Sequence, residues 1–258
     1  GQSFNFDMLG AGWNPKKVRE IAEYNLTAAK KSGSSTTWVL SNHDIIRHAT
    51  RFAFPKVSDF AGWYKANRFS AKPDAELGTA RANAMTMLLL ALPGSTYIYQ
   101  GEELALQEVL DIPAEHMQDP QFFRNPELGL SRDGCRVPLP WTRTGSSFGF
   151  GANGSHLPQP AWYGSVSVEA QDGVKGSTLE LYRQLINLRK TLLAPEEYSW
   201  VKHWFAPKVL HFTRPGGWHS ITNFGNKAVK LPNGEVLAAS QPLVEGKLPA
   251  NATVWLKA

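Results

Sequence analysis

Cysteine is almost absent. Cys135 is the only one in 258 residues, which excludes an internal disulfide framework and suits a reducing, cytoplasmic compartment. No adjacent motif supplies the base that a nucleophilic thiol needs, so Cys135 reads as an inert loop residue. No apolar run approaches the ~20 residues of a membrane-spanning helix. Acidic residues are the scarcer charge, 22 against 27 basic, yet the basic side chains are scattered and form no stripe of the kind that tracks nucleic acid. Neither a membrane nor a nucleic acid is therefore an expected partner. His48, His116, His156, His203, His211 and His219 show no metal-ligand spacing, and no metal or cofactor is expected. Repeats and low-complexity tracts are missing too. With 42% hydrophobic and 19% charged residues, the chain has the balance of a folded protein rather than a disordered one.

What is present reads as alternating strands and helices. Ser3 to Met8 is a short aromatic run that suits a strand. Asn14-Pro15 marks a helix start, with an N-cap followed by proline at the first helical position. Val18, Ile21, Ala22, Leu26 and Ala29 then recur at helical spacing until Ser32-Gly33 ends the helix. Thr36 to Leu40 predicts a second strand and Thr79 to Leu92 an apolar helix closed by Pro93-Gly94. A third strand is expected over Thr96 to Tyr99. Residues 104–176 are rich in proline and glycine without a sustained period, and a loop of that length is usually functional. Ser177-x-x-Glu180 has the form of a capping box for a helix with Leu181, Leu185, Leu188 and Leu192 on one face and Ala194-Pro195 at its end. Beyond about Tyr198 the pattern turns to short alternating strands, clearest at Val209–Thr213, Trp218–Phe224 and Ala252–Leu256, with turns at Pro215-Gly216-Gly217 and Pro232-Asn233-Gly234. The expected fold is α/β with a parallel sheet, followed by a small all-β domain.

The polar groups with most chemical meaning end the second strand. Ser41-Asn42-His43-Asp44, with Arg47 three residues on, sets an imidazole and a carboxylate side by side where parallel-strand enzymes present groups to substrate. The residues alone leave two readings open. His43 and Asp44 are either site groups or a local cap after a strand, and Arg47 is either a ligand of a site carboxylate or a structural ion pair.

Several motifs in order resemble the α-amylase family, glycoside hydrolase family 13, in the form carried by its bacterial α-glucosidases. Ser3–Asp7 is similar to the family's sixth barrel strand and Ser41–Asp44 to the end of its seventh. Gly94-x-x-x-Ile98-Tyr99-x-Gly101-x-Glu103 resembles the eighth-strand signature. Ser131-Arg132-Asp133-Gly134-Cys135-Arg136-Val137-Pro138-Leu139-Pro140-Trp141 resembles a long loop that often reads S-R-D-x-x-R-T-P-M-Q-W, with Val137, Leu139 and Pro140 replacing the usual residues.

The resemblance implies a fold and a division of labour. Residues 1–196 would be the C-terminal part, about three strand–helix units, of a (β/α)8 TIM barrel, with the long insertion at 104–176. Residues 197–258 would be a C-terminal β-sandwich. The reaction would be retaining hydrolysis of short malto- or isomalto-oligosaccharides, which needs two carboxyl groups about 5 Å apart. By resemblance those two lie on earlier strands, so an N-terminal half, as a separate or nicked chain, is the implied partner. Without it the isolated chain would be inactive. Asp44 corresponds to the family's third acid, which stabilises the transition state through sugar hydroxyls. His43, Arg47 and Arg132 are the implied substrate-binding residues, and Glu103 a support residue rather than a second reacting acid. A transglycosylating relative (trehalose synthase or sucrose isomerase type) and a non-catalytic sugar-binding or scaffold subunit are the alternatives.

Overall fold

The computed structural model describes residues 4–56, 62, 72–125, 131–192, 197–203 and 206–258. They form two compact units, one made of 1–40, 79–97 and 181–258, the other of 41–78 and 98–180.

In the first unit, helix α1 (Pro15–Ser32) starts as its sequence requires. The Asn14 side chain accepts from the Lys17 N–H, and Gly33 closes the helix at φ 62°, a left-handed conformation that glycine adopts without strain. Val18, Ala22, Leu26 and Ala29 are buried, and Asn25 joins their stripe. Strands β1 (Thr37–Val39) and β2 (Ser95–Tyr97) pair in parallel, Thr37 opposite Ser95. The helix between them in sequence, Ala75–Ala91, starts earlier than the apolar run suggests, because the Asp74 carboxylate accepts from the Leu77 N–H. From Ala82 to Ala91 it is buried on every side, which is why its sequence has no polar face. At Gly94 (φ 104°) a Cβ would stand 2.6 Å from the Thr36 carbonyl, so the turn into β2 needs glycine.

The expected strand at Ser3–Met8 is corrected by the structure: residues 4–6 lie outside any strand, and Asp7–Gly10 is a 3-10 turn. The Asn5 N–H donates to the Thr37 hydroxyl rather than to a ladder carbonyl. Phe4 stacks on Phe6 and tilts against Tyr97. Two parallel strands, not three, are therefore present among the described residues. The aromatic run finds ring partners and, among the described residues, no ladder partner.

The same unit holds a five-stranded antiparallel sheet in the order β3-β4-β5-β9-β7. Its strands are β3 (Ser199–Val201), β4 (Val209–Arg214), β5 (Trp218–Asn223), β7 (Glu235–Ala239) and β9 (Ala252–Lys257). A small pair, β6 (Val229–Lys230) with β8 (Lys247–Leu248), covers an apolar cluster of Val209, Ile221, Leu248, Ala252 and Val254. The opposite face docks on the Ala75–Ala91 helix, where the Thr253 hydroxyl donates to the Ala84 carbonyl (2.7 Å) and the Trp255 indole to that of Met87 (3.1 Å).

The second unit is built from short pieces: helices His48–Arg51, Pro120–Arg124, Asp133–Arg136 and Val168–Gln171, with 3-10 turns among them. The 104–176 stretch is thus no open loop. It packs Leu104, Leu106, Val109, Ile112, Val137, Leu139, Leu157 and Tyr163 into a core of its own. The capping box forms by half. The Ser177 hydroxyl accepts from the Glu180 N–H, but Glu180 reaches the Gly173 N–H instead of that of Ser177. The helix it opens, Thr178–Thr191, buries Leu181, Tyr182 and Leu185; the expected stop at Ala194-Pro195 lies outside the described residues.

Candidate active site

The site lies within the second unit, where chain reversals are pinned by side chains. After Ser41, the Asn42 side chain accepts from the Asp44 N–H at 2.8 Å, a local turn that short amides favour. It leaves the His43 and Asp44 side chains 68% and 51% exposed, with His43 Nε2 3.4 Å from Asp44 Oδ2. The other carboxylate oxygen of Asp44 accepts from two guanidiniums, Arg132 Nη1 and Arg136 Nη2, each at 2.9 Å. Arg136 Nε also donates to the His43 carbonyl at 2.8 Å. The strand-end turn is therefore clamped by two arginines of the 131–141 loop.

Asp119 in turn aims Arg132. Its carboxylate is fully covered and accepts from Arg132 Nε at 2.8 Å, from Nη2 at 2.7 Å and from the Arg132 N–H at 2.7 Å. It also caps the Pro120–Arg124 helix through the Gln121 N–H. The Arg132 hydrogen bonds hold the Asp119 carboxyl far below the usual carboxylate range, and Asp119 correspondingly raises Arg132. Asp133, next along, binds the Gln118 and Asp119 N–H groups and the Ser131 hydroxyl through one oxygen. These bonds set the loop before any substrate arrives.

Arg47 lies elsewhere in the unit. It is 2% exposed, and its guanidinium donates to the carbonyls of Gln100 and Cys135, both at 2.9 Å, over the ring of Tyr99. A Cβ at Gly101 (φ 91°) would stand 2.6 Å from Arg47 Nη1, so this glycine leaves room for the guanidinium. Around it are further buried ionisable groups. Burial pushes Glu102 up to about 8 and His48 down to about 3, so their 3.8 Å approach joins two neutral groups. Glu103 accepts from the Gly101 N–H at 2.8 Å and so braces the turn after β2. Cys135 is buried, its thiol pushed up to about 12 by desolvation.

Of the four residues singled out from sequence, the structure brings His43, Asp44 and Arg132 together and sets Arg47 apart in the interior. Sequence reasoning assigned no role to Arg136 or Asp119. Arg136 stood in the quoted loop motif and Asp119-Pro120 has the form of a helix start, but neither signal points to Asp44, 92 positions from Arg136, or to Arg132, 13 positions from Asp119. The cluster offers one solvent-facing carboxylate. As a carboxylate it is an acceptor only, ringed by donors and suited to taking hydrogen bonds from a polyol. The second carboxylate, Asp119, is sealed by Arg132 and is in no position to exchange a proton with substrate.

The sequence model of the α-amylase catalytic domain matches residues 3–195. A probable α-glucosidase of Rhizobium meliloti is 33% identical over 193 residues, covering 73% of this chain and 30% of that protein. The salivary α-glucosidase of Anopheles gambiae is 30% identical over 268 residues, 98% of this chain and 38% of that one. Among solved structures, the α-glucosyl transfer enzyme XgtA superposes with a TM-score of 0.72 at 26% identity, over 99% of this chain and 45% of its own. This chain belongs to the α-amylase family, glycoside hydrolase family 13. It spans about a third of the length of these curated relatives and under half of that solved chain.

Proposed function

We propose that this chain carries the substrate-holding side of an α-glucosidase active site, with Asp44 as the acid that stabilises the transition state. The observation that carries the reading is the clamp on Asp44. One oxygen is fixed by Arg132 and Arg136 while the half-exposed carboxylate stays beside His43. A carboxylate oriented in advance accepts sugar hydroxyls more strongly as positive charge builds on the ring, so it acts on kcat rather than on ground-state binding alone. His43 and Arg132 contact the same glucose unit, and Arg47 acts as a positioning residue through the carbonyls it holds.

In this reading residues 1–196 are the last part of a (β/α)8 barrel, and 197–258 its C-terminal β-sandwich. The nucleophile and general acid come from an N-terminal half, as a separate or nicked chain, and this chain alone is inactive. The substrates are short α-linked gluco-oligosaccharides, and the single buried thiol favours a cytoplasmic setting. Likeness to an α-glucosyl transfer enzyme supports a second reading, in which an acceptor sugar replaces water.

Native mass spectrometry of the purified material, followed by assay on a nitrophenyl α-glucoside with the N-terminal half present, tests the proposal. Asp44→Asn is expected to lower kcat about 100-fold or more. Near-normal turnover in that variant overturns the role of Asp44. Sugar binding without turnover in the unmutated assembly favours a non-catalytic subunit instead.

A further inference from the structure

Three histidines remote in the sequence from the Asp44 cluster stand in one row across the sheet. They recur at a spacing of eight, at His203, His211 and His219. His203 follows β3, His211 lies in β4 and His219 in β5, and the antiparallel order of these strands brings successive rings together. His203 Nε2 is 2.8 Å from His211 Nδ1, and His211 Nε2 is 2.8 Å from His219 Nδ1. Both pairs of ring centroids are 5.0 Å apart. The middle ring is 4% exposed; the two ends are half-buried.

A neutral imidazole has one N–H donor and one acceptor nitrogen. An unbroken row therefore has two arrangements only. Either His203 donates to His211 and His211 to His219, or both bonds run the other way. One extra proton is accommodated in both. Placed on His203 Nδ1 it leaves the first arrangement intact. Passing one proton across each bond moves the charge to His219 and yields the second. Two extra protons are not accommodated, because both ends then donate toward His211, which has a single acceptor while neutral. Burial holds His211 down to about 4, with the charges of His219 and His203 adding to the effect. The central ring therefore resists the extra proton, and burial lowers His219 as well, so charging both ends calls for acid.

The weaker end is His203. Strand β3 is an edge strand with three paired residues, whereas β5 is paired along both sides. His203 also lines a cavity of about 610 Å³ with Lys202 of the same segment and with Lys16 and Arg19 of α1. Among the described residues no carboxylate lines that cavity; Glu20 and Glu23 pair with Lys16 (3.9 Å) and Arg19 (2.8 Å) on α1 itself. On the face of the sheet that holds the row, alternation places Val201 of β3, Val209 and Thr213 of β4, Ile221 of β5 and Val254 and Leu256 of β9, and the β6–β8 pair over it contributes Val229 and Leu248; none of these titrates. A charge on His203 opens onto the same cavity as Lys16, Arg19 and Lys202, and breaking its bond frees the end of β3.

We propose that the His203–His211–His219 row is a proton-operated latch, which holds β3 to the sheet with up to one extra proton and releases it when both ends are charged. The release reaches beyond the strand, since Arg19 of α1 stacks on Trp200 of β3 at 5.0 Å. Letting β3 go removes that contact, while α1 keeps its packing against β4.

The test follows backbone amide exchange at Trp200 and Val201 in the full chain from about pH 7.5 to about pH 5, corrected for intrinsic rates, alongside imidazole ¹⁵N spectra. Protection is expected to fall about ten-fold or more on acidification, together with loss of the ¹⁵N signature of one bonded pair. His203→Gln and His219→Gln each leave the row with one chargeable end, and an amide can donate or accept. In both variants acid is expected to change the protection less than about two-fold. The proposal is overturned if the three imidazoles titrate independently, if both variants release β3 over the same range as the unmutated chain, or if either loosens β3 equally at every pH.

Discussion

The two units solve the problem of a folded interior in opposite ways. The first buries apolar side chains on regular elements: its long helix is covered all round from Ala82 to Ala91, and the sheet closes over it with Trp255. The second has short elements and, beside its small apolar core, buries the charged groups Arg47, Glu108, Asp119 and Asp133 almost fully. Apolar burial is non-directional and tolerates approximate geometry, whereas a buried ion holds only when its partners stand at hydrogen-bond distance. The second unit is therefore the one that can fix a carboxylate such as Asp44 at a set angle, and the first serves as the stable body of the chain.

That contrast can be broken at its strongest point first. Trp255→Ala should cost about 4 kcal/mol through the cavity left and the lost indole bond, read as lost hydrogen-exchange protection across β5, β9 and the Ala75–Ala91 helix. If protection in the second unit falls equally, the two units unfold as one and the comparison loses its meaning. Asp119→Ala comes next, at about 2 kcal/mol. It removes a helix cap and the bonds that aim Arg132, and in the assembled enzyme kcat should fall more steeply than KM rises. A change in stability with unaltered kcat would mean that Arg132 does not need Asp119 to serve Asp44.

The third effect is one of pH. The folded Glu102 carboxyl keeps its proton up to about 8, from an ordinary value of 4.5, so its contribution to stability declines as pH rises across that window. The folded His48 stays neutral down to about 3, from 6.5, so its contribution grows as pH rises from about 3 to 6.5. The two oppose each other between about 4.5 and 6.5, leaving a net decline from about 6.5 to 8. Glu102→Gln, which mimics the protonated acid, should flatten that decline in urea midpoints followed by second-unit probes. An unchanged slope would show that Glu102 is already ionised when folded.

Legibility in the sequence follows the same division. Asn14-Pro15 and Gly33 bound α1 as read, because caps and terminators act within a few residues. The strands at Thr37–Val39, Ser95–Tyr97, Val209–Arg214, Trp218–Asn223 and Ala252–Lys257 lie where alternation or apolar runs place them. The Ser3–Met8 run misled because strand propensity needs a neighbour to pair with. The small core of 104–176 was hidden because its apolar residues, from Leu104 to Tyr163, are spaced by tertiary proximity rather than by a helical or strand period. In the site, Asp44 and His43 stood out as adjacent residues, but Arg132 and Arg136 reach Asp44 from 88 and 92 positions away. The histidine row shows the same limit: its eight-residue recurrence looked like scatter until three strands set the rings side by side.

By itself the sequence determined the local elements, the family and the pair of adjacent polar residues most worth suspecting, since each of these is written in neighbouring residues or in ordered motifs. Tertiary structure alone decided that Arg47 is held in the interior by backbone carbonyls, that Asp119 and Arg136 share in holding Asp44, and that His203, His211 and His219 form one row. The physical reason is common to all three. A hydrogen bond between side chains is fixed by distance and direction in space, and chain folding sets those quantities for residues that lie far apart in sequence.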